Sequence, residues 1–312
     1  MQNKYRISDE FKAICEMMAP ILANNQEVFQ AIIAEGNRAW DSNESDEQIR
    51  VTKYEIQSAD QAIIPVQVME AAGASAVNAP CLIYYHGGGF VFPVLGSHLQ
   101  LIREYIQRTA CKVVCVNYRL APNHPFPKPI EDCYSTLMWT HENAASLGID
   151  SNRIAVGGDS AGGSFAAVMA LMARDKNGPP IAGQMLIYPT TDARLQTESM
   201  KAFTDTPVWN APMTDVVYKL YLQNGDFGMR SYASPAEADS LENLPRAYVE
   251  VAEFDPLRDE GIEYAEALKA AGIDTELYKT EGAVHGFDYI LGSQTVNDSL
   301  KRRAAFLNSV FA

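Results

Sequence analysis

One serine in this chain sits in a turn that few folds can build. Val156-Gly157-Gly158-Asp159-Ser160-Ala161-Gly162-Gly163 joins the apolar run Arg153-Ile154-Ala155-Val156 to a small-residue run from Ser164 to Arg174. The first run reads as a short buried strand, and the second as a helix packed tightly on a neighbour. A serine between them must take strained backbone angles. Gly158 and Gly162 flank it because a β-carbon there would collide with neighbouring backbone. The strain lifts the hydroxyl clear of the sheet, and the following helix aims its amino terminus at the same spot. A Gly-x-Ser-x-Gly pattern alone is weak; the strand before it and the helix after it make it informative.

A second glycine turn lies upstream. Pro80-Cys81-Leu82-Ile83-Tyr84-Tyr85 is apolar and β-rich, and it ends in His86-Gly87-Gly88-Gly89-Phe90. Three glycines after a strand free backbone N–H groups to point into a cavity, as stabilising charge on a carbonyl oxygen requires. Three glycines by themselves would read as a flexible turn. Ahead of a strained serine they read as an oxyanion site.

A nucleophilic serine needs a base, and the base needs an orienting acid. Of five histidines, His86 belongs to the glycine turn and suits holding that loop. His98 and His141 fall in helical patterns and His124 in a proline-rich turn, which suits structural or solvated roles. His285 follows the strand-like Thr275–Lys279 and sits in the loop Gly282-Ala283-Val284-His285-Gly286-Phe287. The acid candidate is Asp255, directly after the apolar Ala247–Ala252. Asp259 is its rival, although an acid there also suits the start of the next helix. The order Ser160, Asp255, His285 is the serine–acid–histidine order of α/β-hydrolases.

With these residues in view, the chain resembles the hormone-sensitive-lipase-like esterases of the α/β-hydrolase superfamily. The resemblance rests on His86-Gly87-Gly88-Gly89, Asn117-Tyr118-Arg119-Leu120-Ala121-Pro122, Gly158-Asp159-Ser160-Ala161-Gly162-Gly163, Asp255-Pro256-Leu257-Arg258-Asp259-Glu260 and His285-Gly286-Phe287, in that family's order. It implies an α/β-hydrolase fold: a mostly parallel central sheet flanked by helices, with a helical cap. It also implies Ser160 as nucleophile, His285 as base, Asp255 as orienting acid, and Gly87, Gly88 and Ala161 as oxyanion donors. Esters of short to medium acids are the implied substrates, hydrolysed through an acyl-enzyme without metal or organic cofactor. Phe90, Trp209 and Phe287 are candidates to line the pocket. One departure is Val91-Phe92-Pro93-Val94-Leu95, whose proline is unusual for the group and bears on pocket shape.

Two amphipathic helices are predicted over Ser8–Met18 and Pro20–Glu35, the second started by Pro20 and stopped by Gly36. Alternation over Ile49–Ile56 and Ile63–Met69 predicts paired antiparallel strands. Apolar runs near 81–86, 112–118, 153–157, 184–188, 246–252 and 274–279 then alternate with helical ones, the signature of a largely parallel sheet. The alternation breaks between Thr190 and Ala238. The chain accordingly divides into amino-terminal cap helices (1–45), a catalytic domain (46–189 and 239–312) and an inserted cap segment (190–238). Tyr248–Glu250 and Thr275–Tyr278 are candidate edge positions for a homo-oligomer.

Hydrophobic residues make up 47% of the 312, enough for a sizeable core. A formal charge of −14 and the lack of a basic stripe argue against nucleic-acid binding. The five cysteines are scattered; Cys111 and Cys115 lie roughly 13 Å apart along a strand, too far for a disulfide or a shared metal. Free thiols, no signal-like apolar core in the first twenty residues and no membrane-length run predict a cytoplasmic protein acting on a small-molecule ester, away from membranes. The same machinery would serve an amide, lactone or acetyl-sugar hydrolase. A non-catalytic ligand-binding protein is the rival from another class, disfavoured because serine, acid and histidine are all present.

Overall fold

The apolar runs become eight strands of one sheet in the computed structural model, which describes residues 4–22, 26–74 and 77–312. They are β1 (Ile49–Gln57), β2 (Ile63–Ala71), β3 (Ala79–Tyr85), β4 (Lys112–Val116), β5 (Ile149–Asp159), β6 (Gln184–Ile187), β7 (Ala247–Phe254) and β8 (Thr275–Val284). Their spatial order is β1-β2-β4-β3-β5-β6-β7-β8. β2 runs antiparallel to β1 and β4, and every later pair is parallel. Helices α1 (Lys12–Leu22) and α2 (Gln26–Asp41) precede the sheet. Its strands are linked by α3 (Gly96–Thr109), α4 (Lys128–Glu142), α5 (Ala144–Leu147), α6 (Ala161–Asp175), α7 (Glu198–Ala202), α8 (Ala211–Tyr221), α9 (Arg230–Ala233) and α10 (Arg258–Ala270), and α11 (Gln294–Phe311) follows.

Because side chains alternate along a strand, the sheet builds two cores. Cys81, Ile83 and Tyr85 of β3 pack with Leu137 of α4, Phe165 of α6 and Tyr264 of α10. Leu82 and Tyr84 pack on the other face with Ile102 of α3 and Leu300 and Leu307 of α11. Coverage of both faces explains why the parallel strands read as unbroken apolar runs. α6 is buried from Ala161 to Ala173, and its small residues let it lie close to the sheet.

Three expectations need correction. β7 lies between β6 and β8, so Tyr248–Glu250 are interior and fully buried; only Thr275–Tyr278, on β8, are at an edge. Pro20 does not start the second helix: α1 runs through it to Leu22, and residues 23–25 lie outside those described. Nor does Gly36 stop that helix. α2 continues to Asp41, and the glycine serves packing, since a β-carbon there would stand 2.6 Å from Pro93 Cγ.

The segment 190–238 carries α7, α8 and α9. Tyr5 donates a hydrogen bond to its Asp205 and packs edge-on against its Phe203 at 5.6 Å. Among the described residues no helix is long and apolar enough to cross a membrane. The five cysteines are free, four of them buried.

Candidate active site

Ser160 sits between β5 and α6 with φ +54° and ψ −120°, outside the regions ordinary residues prefer. Its neighbours leave no room for side chains. A β-carbon on Gly158 would lie 2.2 Å from the Tyr85 carbonyl oxygen, and one on Gly162 would lie 1.9 Å from the same atom. The strand end of β3 thus clamps the turn, and the Ser160 N–H donates to Ile187 O at 2.8 Å to fix it further.

Two loops from neighbouring strands meet the serine. His285, just past β8, has Nε2 2.9 Å from Ser160 Oγ. Its Nδ1 lies 2.7 Å from Oδ2 of Asp255, which follows β7. The other oxygen of Asp255 accepts the Leu257 N–H at 2.9 Å, which fixes the carboxylate plane. An acceptor at Nδ1 keeps the imidazole proton there and turns the Nε2 lone pair to the serine. All three side chains are buried. Asp259 is elsewhere: it accepts the Ser199 N–H at 2.7 Å and Arg258 Nε at 2.7 Å, joining α10 to α7.

The glycine turn corrects one predicted donor. The Gly87 N–H already donates to Asp159 Oδ1 at 3.0 Å, so it faces away from the serine's reaction partner. Gly88 (φ +118°) and Gly89 (φ +57°) turn the chain, and both line the cavity beside Ser160. Their N–H groups meet no acceptor among the described residues. Ala161 opens α6, where helix N–H groups lack intrahelical partners.

Asp159 is the organising residue that the sequence reading passed over. It accepts Tyr84 OH at 2.5 Å and Tyr289 OH at 2.6 Å besides Gly87 N–H, and His98 Nε2 stands 3.4 Å away. Burial alone would raise its pKa, but His98 and the two hydroxyls hold it well below the usual carboxylate range. His98 takes the Leu95 N–H on Nδ1 at 2.9 Å, which points its own proton towards Asp159 and Tyr289. His86 stacks on Tyr118 at 4.1 Å and donates to Gly87 O at 2.7 Å, so it holds the loop. Burial, and then the nearby His98, push its pKa down to about 3.

A cavity of about 470 Å³ opens on Ser160, within the range typical of small-molecule sites. Met17 of α1, Val28 and Ile32 of α2, Phe92, Val208, Trp209 and Met213 give it apolar walls. Trp209 is held by a 2.9 Å bond from Nε1 to Thr214 Oγ1, and its ring centre lies 5.8 Å from that of His285. The other two predicted pocket aromatics are core residues. Phe90 stacks on Tyr221 at 4.0 Å, and Phe287 packs on Phe11 at 5.6 Å and Tyr188 at 6.0 Å. Pro93 explains its own oddity by meeting α2 at Gly36.

A strained hydroxyl, an imidazole in line with it, a buried carboxylate behind and free N–H groups opposite can together move a proton off Ser160 and hold a developing oxyanion. Known proteins similar to this chain are numerous. A family model described as the alpha/beta hydrolase fold matches residues 82–289. Carboxylesterase NlhH of Mycobacterium tuberculosis is 44% identical over 214 residues, 67% of this chain and 67% of its own length. The solved structure titled bacterial heroin esterase is 32% identical and superposes with a TM-score of 0.87 over 98% of both chains. A thermostable esterase from Pseudomonas putida ECU1011 is 29% identical, with a TM-score of 0.88 over 98% of both chains.

Proposed function

Since this chain belongs to the hormone-sensitive-lipase-like family of α/β hydrolases and is a serine hydrolase of the carboxylesterase type, we propose that it cleaves esters of short and medium acids through an acyl-enzyme on Ser160. The observation that carries this reading is the hydrogen-bonded series Asp255–His285–Ser160, whose last two members line an apolar cavity. His285 Nε2 takes the serine proton as Oγ attacks the ester carbonyl. The N–H groups of Gly88, Gly89 and Ala161 receive the oxyanion, in the favourable field at the start of α6. The alcohol leaves with the proton from His285, and water repeats the sequence to release the acid. Asp255 keeps the imidazole in the productive tautomer and stabilises its charged form.

Residues 1–45 and 190–238 act in this reading as a cap over the serine. Met17, Val28 and Ile32 from the first and Val208, Trp209 and Met213 from the second face one cavity, which supports it. An apolar cavity of this size favours acyl chains over polar acids, at about 0.8 kcal/mol for each methylene buried.

The test is turnover of matched acetate, butyrate and octanoate chromogenic esters, with and without Ser160→Ala. Loss of roughly 10⁴-fold or more is expected in the variant with the fold kept, because triad members act as a unit. A fluorophosphonate should add its mass to the peptide holding Ser160. Retained turnover in the alanine variant would sink the proposal.

A further inference from the structure

The acid and the base follow different strands, and the pairing of those strands is irregular just before them. β7 and β8 stay in register from Ala247/Thr275 to Ala252/Thr280, but the next pair is Phe254/Val284. Two residues of β7 therefore span four of β8, immediately before Asp255 and His285. Such a bulge bends the strand and re-aims the residues after it, and the Gly282 N–H bonds Glu253 Oε2 at 2.7 Å within it.

One buried side chain reaches both. Arg303 of α11 is fully buried. Its Nε donates to Glu250 Oε2 at 2.7 Å, and its Nη1 donates to Asp288 Oδ2. Glu250 lies in β7 ahead of Asp255, and Asp288 lies in the turn after His285. Asp288 in turn accepts Tyr188 OH at 2.5 Å. Tyr188 has φ +34°, its N–H bonds Glu250 O at 2.5 Å, and its ring meets the His285 imidazole edge-on at 4.7 Å. Further partners of the cluster are Thr280 and Ser299, each 2.7 Å from Glu250 Oε1, Arg302 at 3.0 Å, Tyr248 OH 3.2 Å from Glu250 Oε2, and Tyr105 OH 3.3 Å from Arg303. Among the described residues Arg303 Nη2 has no hydrogen-bond partner. Apolar packing of the same volume commonly matches or exceeds the stability of a buried ionic cluster. Stability is thus a poor reason for this one, whereas the rigid guanidinium fork suits setting the distance between two carboxylates.

We propose that Arg303 is a positioning residue for ester cleavage: by gripping Glu250 and Asp288 together it locks the base loop to the strand that carries the acid, and so keeps His285 in line with Ser160. The proposal rests on the ester-hydrolase reading above.

The experiment measures kcat and KM on a butyrate ester, with active sites counted by end-point fluorophosphonate labelling and Tm recorded in parallel. Arg303→Met leaves the buried Asp288 without its cation and Glu250 with Arg302 alone, and it risks misfolding, so Asp288→Asn and Tyr188→Phe accompany it. Displacement of about 1 Å at the reacting groups costs roughly 10²-fold, so kcat per labelled site should fall ~10–100-fold in Asp288→Asn and Arg303→Met while KM stays within ~2-fold. Tyr188→Phe, which removes one hydrogen bond, should lose roughly 5-fold. Arg302→Met, which touches Glu250 but not Asp288, should lower Tm and keep kcat per site within ~2-fold. Variants of Arg303, Asp288 and Tyr188 that lose Tm but keep kcat per site would overturn the positioning role. So would an equal kcat loss in Arg302→Met. A wild-type protein that labels at Ser160 yet turns over no ester would instead refute the ester-hydrolase reading itself.

Discussion

Gly36 in the middle of α2 lies so close to Pro93 that a β-carbon would stand 2.6 Å from the proline Cγ and 2.8 Å from the Val94 carbonyl oxygen. Neither a proline ring nor a backbone carbonyl can swing aside. The helix is therefore seated directly on the chain that leaves the oxyanion turn. Phe92 and Leu95 of that chain line the cavity, as do Val28 and Ile32 of the helix.

Two effects oppose each other in Gly36→Ala, and their sizes decide the sign. Helix propensity alone favours alanine by about 1 kcal/mol. Overpacking against a rigid neighbour costs typically about 1–3 kcal/mol. The variant should accordingly be less stable than the parent in urea unfolding. It should also shift the ratio of kcat/KM between octanoate and acetate esters. A more stable variant with the parent's ratio would mean that α2 does not press on this loop.

Asp255→Asn should cost about 10³ to 10⁴ in kcat, since an amide cannot hold the productive histidine tautomer. Asp259→Asn should cost less than roughly 10-fold, because that carboxylate serves the start of α10 and the Ser199 N–H. Steady-state kinetics on a butyrate ester ranks the two. The reverse order would falsify the choice of Asp255.

Acid should weaken the fold in two overlapping windows. His86 is held neutral down to about pH 3 when folded, whereas an unfolded histidine binds its proton near pH 6.5. Between those values the unfolded chain carries the extra proton, so stability falls as pH drops, by at most about 1.4 kcal/mol per unit from this one group. His86→Asn, which keeps an amide donor for Gly87 O, should flatten the loss between pH 7 and pH 5 in urea titrations. An unchanged slope would exclude His86 as its source.

The second window belongs to carboxylates. Burial opposes ionisation of Glu250, but Arg303, Ser299 and Thr280 bring its pKa down to about 2. Stability from this depressed acid is present above the unfolded value near 4.3 and is lost as pH falls through the folded one. Glu250→Gln should reduce stability at neutral pH and shrink the difference between pH 5 and pH 3. A variant with the parent's full acid loss would assign that window to other acids.

Strand positions and the order of the chemical residues were legible in the sequence, because buried parallel strands are unbroken apolar runs and a strained serine demands glycine at 158 and 162. Three successive glycines, by contrast, offer three equivalent N–H groups. Only the arrival of Asp159 from β5 shows that Gly87 is already engaged and that Gly88 and Gly89 are free. Phe90 and Phe287 misled because an aromatic beside a glycine turn can point either to solvent-filled space or to the core. Tyr248–Glu250 misled because chain order does not reveal that β8 takes the edge. Arg303 and Asp288 look in sequence like the charged face of an ordinary surface helix and loop. Their burial follows from how α11 lies on the sheet.

Ser160, Asp255 and His285 hang from the ends of β5, β7 and β8, whereas Met17, Val28, Ile32, Val208, Trp209 and Met213 bring apolar cavity wall from α1, α2 and the stretch around Trp209. Reactivity and much of the cavity wall are thereby written in different parts of the chain. A duplicated copy that drifted only at Met17, Val28, Ile32 or Met213 would inherit the bond-breaking apparatus whole and meet new molecules with it. Selection can change what enters the cavity on one stretch of coding sequence while holding the other nearly still.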